Sequence, residues 1–379
     1  DDRAVDMRVV AKIGTASITD DPGHISTDAI AKLVDEVAGL RHDGHDVIVV
    51  SSGAVAAGVA ALGLHARPSD MRTLQAVSAV GQSRLVQAYD AQLGRHDLVG
   101  AQLLVDPFDF VERSQYVHLR ATLDRLIELG VVPIVNENDA IANDELRYGD
   151  NDRIAALIAN SVRADVLVLL TDMDGVYTSD PRRDPEAQLI PLVPVDDPLL
   201  SISAGAGGSG RGSGGMASKL TAARMASWSG IRSVIGRADR PGIVAGAVSD
   251  ELIGTTFAAH DRMLSARKLW IAFAADVAGA ISVDAGARSA LIERPNSLLP
   301  AGAVATSGSF EPGHVVDVVD PSGVVFARGR VSLSDADLRS VLGRRTRDLP
   351  DGMVHEVVHR DDLVILEPVT EIGARFNQR

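Results

Sequence analysis

Through about Ile235 the chain alternates short β-branched runs with longer segments of helical period, and this alternation constrains its fold more than any other feature. The runs read "MRVVAKIG", "DVIVVSSG", "LVGAQLLV", "GVVPIVNEND", "DVLVLLTDMDG" and "GIRSVIG". Between the first two, Ile30, Leu33, Val34 and Val37 fall on one face of a helix, and further helices are predicted from Ser114 to Leu129 and from Asp152 to Asn160. Continuous apolar strands joined by crossover helices predict an α/β fold: an open, mainly parallel sheet sandwiched by helices.

After about Ser265 the pattern changes to short strands with Gly, Pro and Ser turns: "KLWIAFA", "GAISVDAGA", "VVDVVDPSGVVFARGRVSL" and "DDLVILEP". A chain of 379 residues is long for one core. The expected division is an α/β domain over 1–264 and a small β-rich domain, of partly open barrel type, over 265–379. No repeat of solenoid length is present.

The formal charge of −14 argues against a general nucleic-acid binder, which needs clustered cations. From Leu264 onward the chain holds 13 Lys and Arg against 15 Asp and Glu, so the tail is near neutral and the first part carries most of the charge. With no cysteine there is no disulfide and no thiolate ligand, which fits a reducing compartment, and cytoplasm is the expectation. The start "DDRAVDMRVV" lacks a signal-peptide core, and no run approaches the roughly 20 apolar residues of a spanning helix, so a soluble protein is expected. The ten histidines, His45 and His118 among them, show no metal spacing and are expected in loops or on the surface.

In open parallel sheets, ligands bind beyond the carboxyl ends of the strands. Those positions here are "AKIGTAS" with Lys12, "SSGA" with Ser52 and Gly53, "NENDA" with Asn136 and Asp139, "GDND" with Asn151 and Asp152, and "TDMDG" with Thr171 and Asp172. Taken singly, most are ordinary turn residues that bond their own backbone. Lys12 is different, because an apolar strand seldom ends in an ammonium group without an anionic partner. The stretch "GSGRGSGGMASKLTAARMASWSG" is not a Walker loop, since Lys219 stands four residues after Gly215. A glycine loop running into a helix nevertheless aims backbone N–H groups and the positive end of the helix dipole at one spot, and Lys219 adds a full charge, so an anion site is expected there.

Taken together, "AKIGTAS", "VIVVSSGAVAAG", "PIVNENDAIANDELRYGDNDRIAALIA", "LVLLTDMDGVYTSDPR" and "GSGGMASKLTAARMA" resemble the amino acid kinase family, and the tail, with "SLLPAG" and "VVHRDDLV", is similar to a PUA domain. The departures are Ala11 for a larger aliphatic residue, Ser213 for Thr, and "LLVDPF" for a more usual Leu-Leu-Thr.

The resemblance implies ATP-dependent phosphorylation of the γ-carboxylate of L-glutamate, at the first step of proline synthesis. By the same resemblance, Ser52, Gly53, Asn136, Asp139 and Asn151 would hold glutamate. Thr171 and Asp172 would contact ATP, as would the loop of Ser213, Gly214, Gly215, Met216, Ala217, Ser218 and Lys219. Lys12 and Lys219 would span the transferring phosphoryl group, Asp152 would hold the lysines, and Mg²⁺ would bridge ATP phosphates with few protein ligands. Proline is implied as a feedback inhibitor, and a homo-oligomer, dimer or tetramer, is expected. Rival substrates are aspartate, acetylglutamate, carbamate and UMP. Asp139 favours a free α-ammonium group over an acetylated amine or a nucleotide. An RNA-binding or RNA-modifying role through the tail is the rival of another class, and the near-neutral tail speaks against it.

Overall fold

The computed structural model describes residues 6–20, 24–141, 151–200, 215–261 and 263–366. They form two compact units, the second taking over from Leu264 onward.

The first unit is built on eight strands: β1 (Arg8–Ile13), β2 (Asp46–Ser51), β3 (Gly100–Val105), β4 (Val132–Glu137), β5 (Val166–Thr171), β6 (Leu192–Val193), β7 (Arg232–Arg237) and β8 (Thr255–Phe257). They lie in the order β3-β4-β2-β1-β5-β7-β8-β6. Neighbours run parallel except β7 and β8. Strand β1 is central, and Val9, Val10 and Ala11 are fully buried, as a strand covered on both faces requires. Because β1, β2, β4 and β5 are parallel, their carboxyl ends share one edge, with Lys12 in register between Val50 and Leu169.

The helices of this unit are α1 (Thr15–Ile18), α2 (Thr27–His42), α3 (Ala54–Ala61), α4 (Met71–Leu93), α5 (Arg113–Glu128), α6 (Asn151–Val162), α7 (Met216–Ser227) and α8 (Ile243–Val248). Helix α2 begins where the Ser26 side chain accepts from Ala29 N, and it buries Ile30, Leu33, Val34, Val37 and Leu40 as the stripe read in the sequence. Helices α3 and α4 touch backbone to backbone. A Cβ on Gly58 would sit 1.9 Å from Val77 O, and one on Gly81 would sit 1.7 Å from Ala54 O. No side chain fits at either point, and the approach sets Ser78 and Gln82 of α4 beside β4. His45 lies in the loop between α2 and β2, within the expectation of loop or surface, but is buried there, and its Nδ1 accepts from Met7 N at 3.1 Å.

The second unit opens with α9 (Ala266–Leu269) and continues through β9 (Val277–Val283), α10 (Ala285–Glu293), β10 (Ala303–Gly308), β11 (Val315–Val319), β12 (Val325–Val331), α11 (Asp335–Val341) and β13 (Val358–Ile365). Its sheet runs β10-β9-β11-β12-β13, with only β9 and β11 parallel, over a core that includes Ile281, Phe310, Val316, Val318, Phe326 and Leu338. The segment "KLWIAFA", expected as a strand, is helical: α9 passes directly into a π-helical stretch, Trp270–Ala274. All five residues of that stretch are buried, so the run carries no periodicity to separate strand from helix. The deciding signal is Ser265, whose side chain caps Lys268 N. Among the described residues no helix is long and apolar enough to cross a membrane.

Candidate active site

Two lysines and one aspartate meet at the carboxyl end of β1. Lys12 is the next-to-last residue of the strand, Asp152 is the second residue of α6, and Lys219 lies in the first turn of α7. Lys12 Nζ is 2.6 Å from Asp152 Oδ1 and Lys219 Nζ is 3.1 Å from Asp152 Oδ2. Ser218 Oγ donates to the same Oδ2 at 3.1 Å. All three charged side chains are buried, with Asp152 fully enclosed. Burial by itself would raise the Asp152 carboxyl, but Lys12 and Lys219 outweigh it and hold the group below the ordinary carboxylate range. Two cations around one anion leave a net positive charge in a dry place, an arrangement that attracts an anion.

The neighbouring residue, Asn151, ties this trio to a second group. Its Nδ2 donates to Ser52 Oγ and to Asn136 Oδ1, both at 2.9 Å. Asn136 Nδ2 in turn donates to Gln82 Oε1 at 2.8 Å. Ser52 follows β2, Asn136 belongs to β4 and Gln82 to α4, so three elements converge on the start of α6. Gly53 caps α3 with φ at +101°, the left-handed region that glycine adopts without strain. Behind Ser52, the buried Tyr89 hydroxyl lies 2.9 Å from Ser51 Oγ.

Asp139 stands apart from the trio, in a cleft of about 280 Å³ lined by Ser78, Gln82, Gln102, Glu137, Asn138 and others. Burial pushes its carboxyl up, and Arg67 and a hydrogen bond from Ser78 only partly oppose this. The site therefore favours a cation beside Asp139. Arg67, Ser78 and Gln82 were not singled out from the sequence. All three come from chain far from Asp139, and nothing in the pattern of α4 marks Gln82 apart from a polar residue following Gly81.

Thr171 and Asp172 lie at the end of β5 and are not joined to the lysines. Thr171 Oγ1 donates to Asp172 Oδ1 at 3.0 Å, and Asp172 Oδ2 accepts from Arg182 at 3.3 Å in an exposed pair. Gly215 is the N-cap of α7, its carbonyl accepting from Ser218 N and Lys219 N, and Met216 and Ala217 form the first turn. Ser213 and Gly214 lie outside the described residues. Among those described, no cluster of three or more His, Cys, Asp or Glu is arranged to hold a metal.

An amino acid kinase family pattern matches residues 7–237, and a PUA domain pattern matches residues 279–353. The chain is 44% identical over 95% of its length to a glutamate 5-kinase of Synechococcus sp. (strain JA-2-3B'a(2-13)), covering 99% of that protein. It is 43% identical over 95% of its length to one of Pseudomonas putida (strain W619), covering 98% of it. For one of Trichlorobacter lovleyi the figures are 41% over 95%, covering 96% of it. The chain belongs to the amino acid kinase family, joined to a C-terminal PUA domain. Within that family it falls among the glutamate 5-kinases.

Proposed function

We propose that this chain transfers the γ-phosphoryl group of ATP to the γ-carboxylate of L-glutamate, forming γ-glutamyl phosphate for proline synthesis. The observation that carries the reading is the buried trio of Lys12, Asp152 and Lys219, joined through adjacent Asn151 to the Ser52 and Asn136 group and flanked by the Asp139 cleft. Both reactants are anions, and their approach needs fixed positive charge. A γ-carboxylate oxygen forms a bond to the γ-phosphorus while the bond to the β,γ-bridging oxygen breaks, and the electron pair leaves on ADP. The carboxylate is already ionised at neutral pH, so no base is required. Lys12 and Lys219 offset the charge on the transferring group, and Asp152 fixes both ammonium groups and limits their mutual repulsion. Ser52, Asn136 and Asn151 orient the acceptor, and Asp139 pairs with its α-ammonium group.

Thr171, Asp172 and the residues from Gly215 to Lys219 hold the nucleotide in this reading. The carboxylate of the trio is already bound by both lysines, so a Mg²⁺ ion accompanying ATP would take few ligands from these residues and would supply charge to offset the phosphates. Proline carries the same ammonium and carboxylate on one carbon, so it competes with glutamate for Asp139, and the chain works as a homo-oligomer. An acyl-phosphate trap with hydroxylamine, run with glutamate, aspartate and acetylglutamate side by side, tests the assignment. Hydroxamate is expected with glutamate and ATP together, and activity confined to another acceptor would overturn it.

A further inference from the structure

The backbone N–H of Glu137 can only donate, and it lies 2.9 Å from Asn136 Oδ1. That contact identifies which end of the Asn136 amide is oxygen. The other end is then NH₂, and it faces Gln82 at 2.8 Å. Gln82 must present Oε1 there, so its own NH₂ group is turned away from Asn136. This Nε2 is buried and has no acceptor among the described residues. Gln82 itself is only 8% exposed and forms part of the cleft wall with Ser78, Asn138 and Asp139. A buried donor without an acceptor is costly unless a ligand supplies one.

We propose that Gln82 is a specificity-determining residue, whose Nε2 donates to the α-carboxylate of the bound amino acid beside the ammonium partner Asp139. This rests on the reading that the cleft receives L-glutamate. The γ-carboxylate must reach the lysine pair, whereas the α-ammonium and α-carboxylate hang from a single carbon. Gln82 shares the wall of this cleft with Asp139, so its unpaired donor is placed to meet the α-carboxylate of an amino acid seated there. Asn136 decides the outcome, because it locks the amide of Gln82 in the one orientation that offers a donor.

The test compares L-glutamate with its α-amide, L-isoglutamine, which keeps the ammonium and the γ-carboxylate. Both are titrated calorimetrically and assayed as hydroxamates on the full-length protein, Gln82→Met and Gln82→Glu. The Met variant keeps the bulk but loses the donor, so glutamate KM should rise about 10- to 100-fold, and the preference for glutamate over the α-amide should fall by a similar factor. The KM for ATP should stay within about threefold, since that ligand is bound elsewhere. The Glu variant still accepts from Asn136 but offers an anionic oxygen to the cleft. It should weaken glutamate further and reverse the preference toward the α-amide, whose NH₂ can donate. Variants that fold normally, by circular dichroism and unfolding midpoint, yet keep the wild-type preference would show that Gln82 only supports Asn136. If the Met variant fails to fold, the Glu variant carries the same comparison. A wild-type protein that neither binds nor phosphorylates glutamate would overturn the substrate reading, and this inference with it.

Discussion

Two charged groupings stand at the carboxyl ends of adjacent strands of one sheet, and they differ in both net charge and burial. At β1, Asp152 lies 2.6 and 3.1 Å from two lysines, with none of its side chain exposed. At β5, Asp172 meets Arg182 at 3.3 Å with the two side chains 58% and 70% exposed. Water screens the second pair and lets it form or break at small cost. The first has no water to fall back on, so each member depends on the others. Sheet geometry supplies both positions, and burial decides which of them can hold a fixed charge for chemistry.

The largest expected effect comes from breaking the buried trio. Lys12→Ala or Lys219→Ala should lower kcat by at least about 10²-fold, because in the proposed reading each removes a charge aimed at the transferring phosphoryl group. Near-normal turnover in either would remove that lysine from the mechanism. Asp152→Ala leaves two buried ammonium groups without their anion and should cost about 3–5 kcal/mol of stability, read from urea unfolding. Acid should act in the same direction. The Asp152 carboxyl sits lower folded than unfolded, so its contribution is present above the ordinary carboxylate range and is lost as pH falls through the depressed value. Unfolding midpoints in the Asp152→Asn variant should therefore fall less steeply with acid than in the wild type.

Next comes Asp139, half-buried and, among the described residues, without a cation as close as those of Asp152. Asp139→Asn keeps the shape and removes the charge, and losing one partner of such a pair costs about 2–5 kcal/mol, which raises glutamate KM by tens- to thousands-fold. The proposed contact would be made in ground and transition states alike, so kcat should move much less. An equal loss for glutamate and ATP in steady-state kinetics would point to local misfolding instead.

Arg182→Ala should be the mild counterpart: an unfolding midpoint indistinguishable from wild type, and an ATP KM changed by no more than about threefold. A tenfold change would mean that the exposed pair closes on the nucleotide. The smallest effect is expected from ending the chain at Met263. Every residue assigned to the reaction precedes that point, so turnover per folded chain should be retained, and loss of turnover in a folded product would assign the tail a part in the site.

Much of the site was legible because it stands where the chain must turn. Lys12, Ser52, Asn136 and Thr171 are read off the ends of apolar strands, and a parallel sheet brings such ends to one edge whatever the details of packing. Gln82 was not legible, since it lies on α4 where two glycines let α3 and α4 meet backbone to backbone, Gly58 against Val77 and Gly81 against Ala54. Ser218 was implied by the resemblance to contact ATP, and the packing of α6 against α7 sets its hydroxyl on Asp152.

By itself the sequence determined the parallel sheet, the change to a second β-rich unit, and the need of Lys12 for an anionic partner, because hydrophobic period and burial of charge are local properties of a chain. That the partner is Asp152, shared with Lys219, was implied by the family resemblance and not by the local pattern, and the tertiary structure brings the three together. It buried every residue of the Trp270–Ala274 stretch behind the Ser265 cap, and it locked the Asn136 amide so that Gln82 offers a donor. Each of these depends on which distant segment arrives to satisfy a buried polar or apolar group, and the sequence records the group without naming what satisfies it.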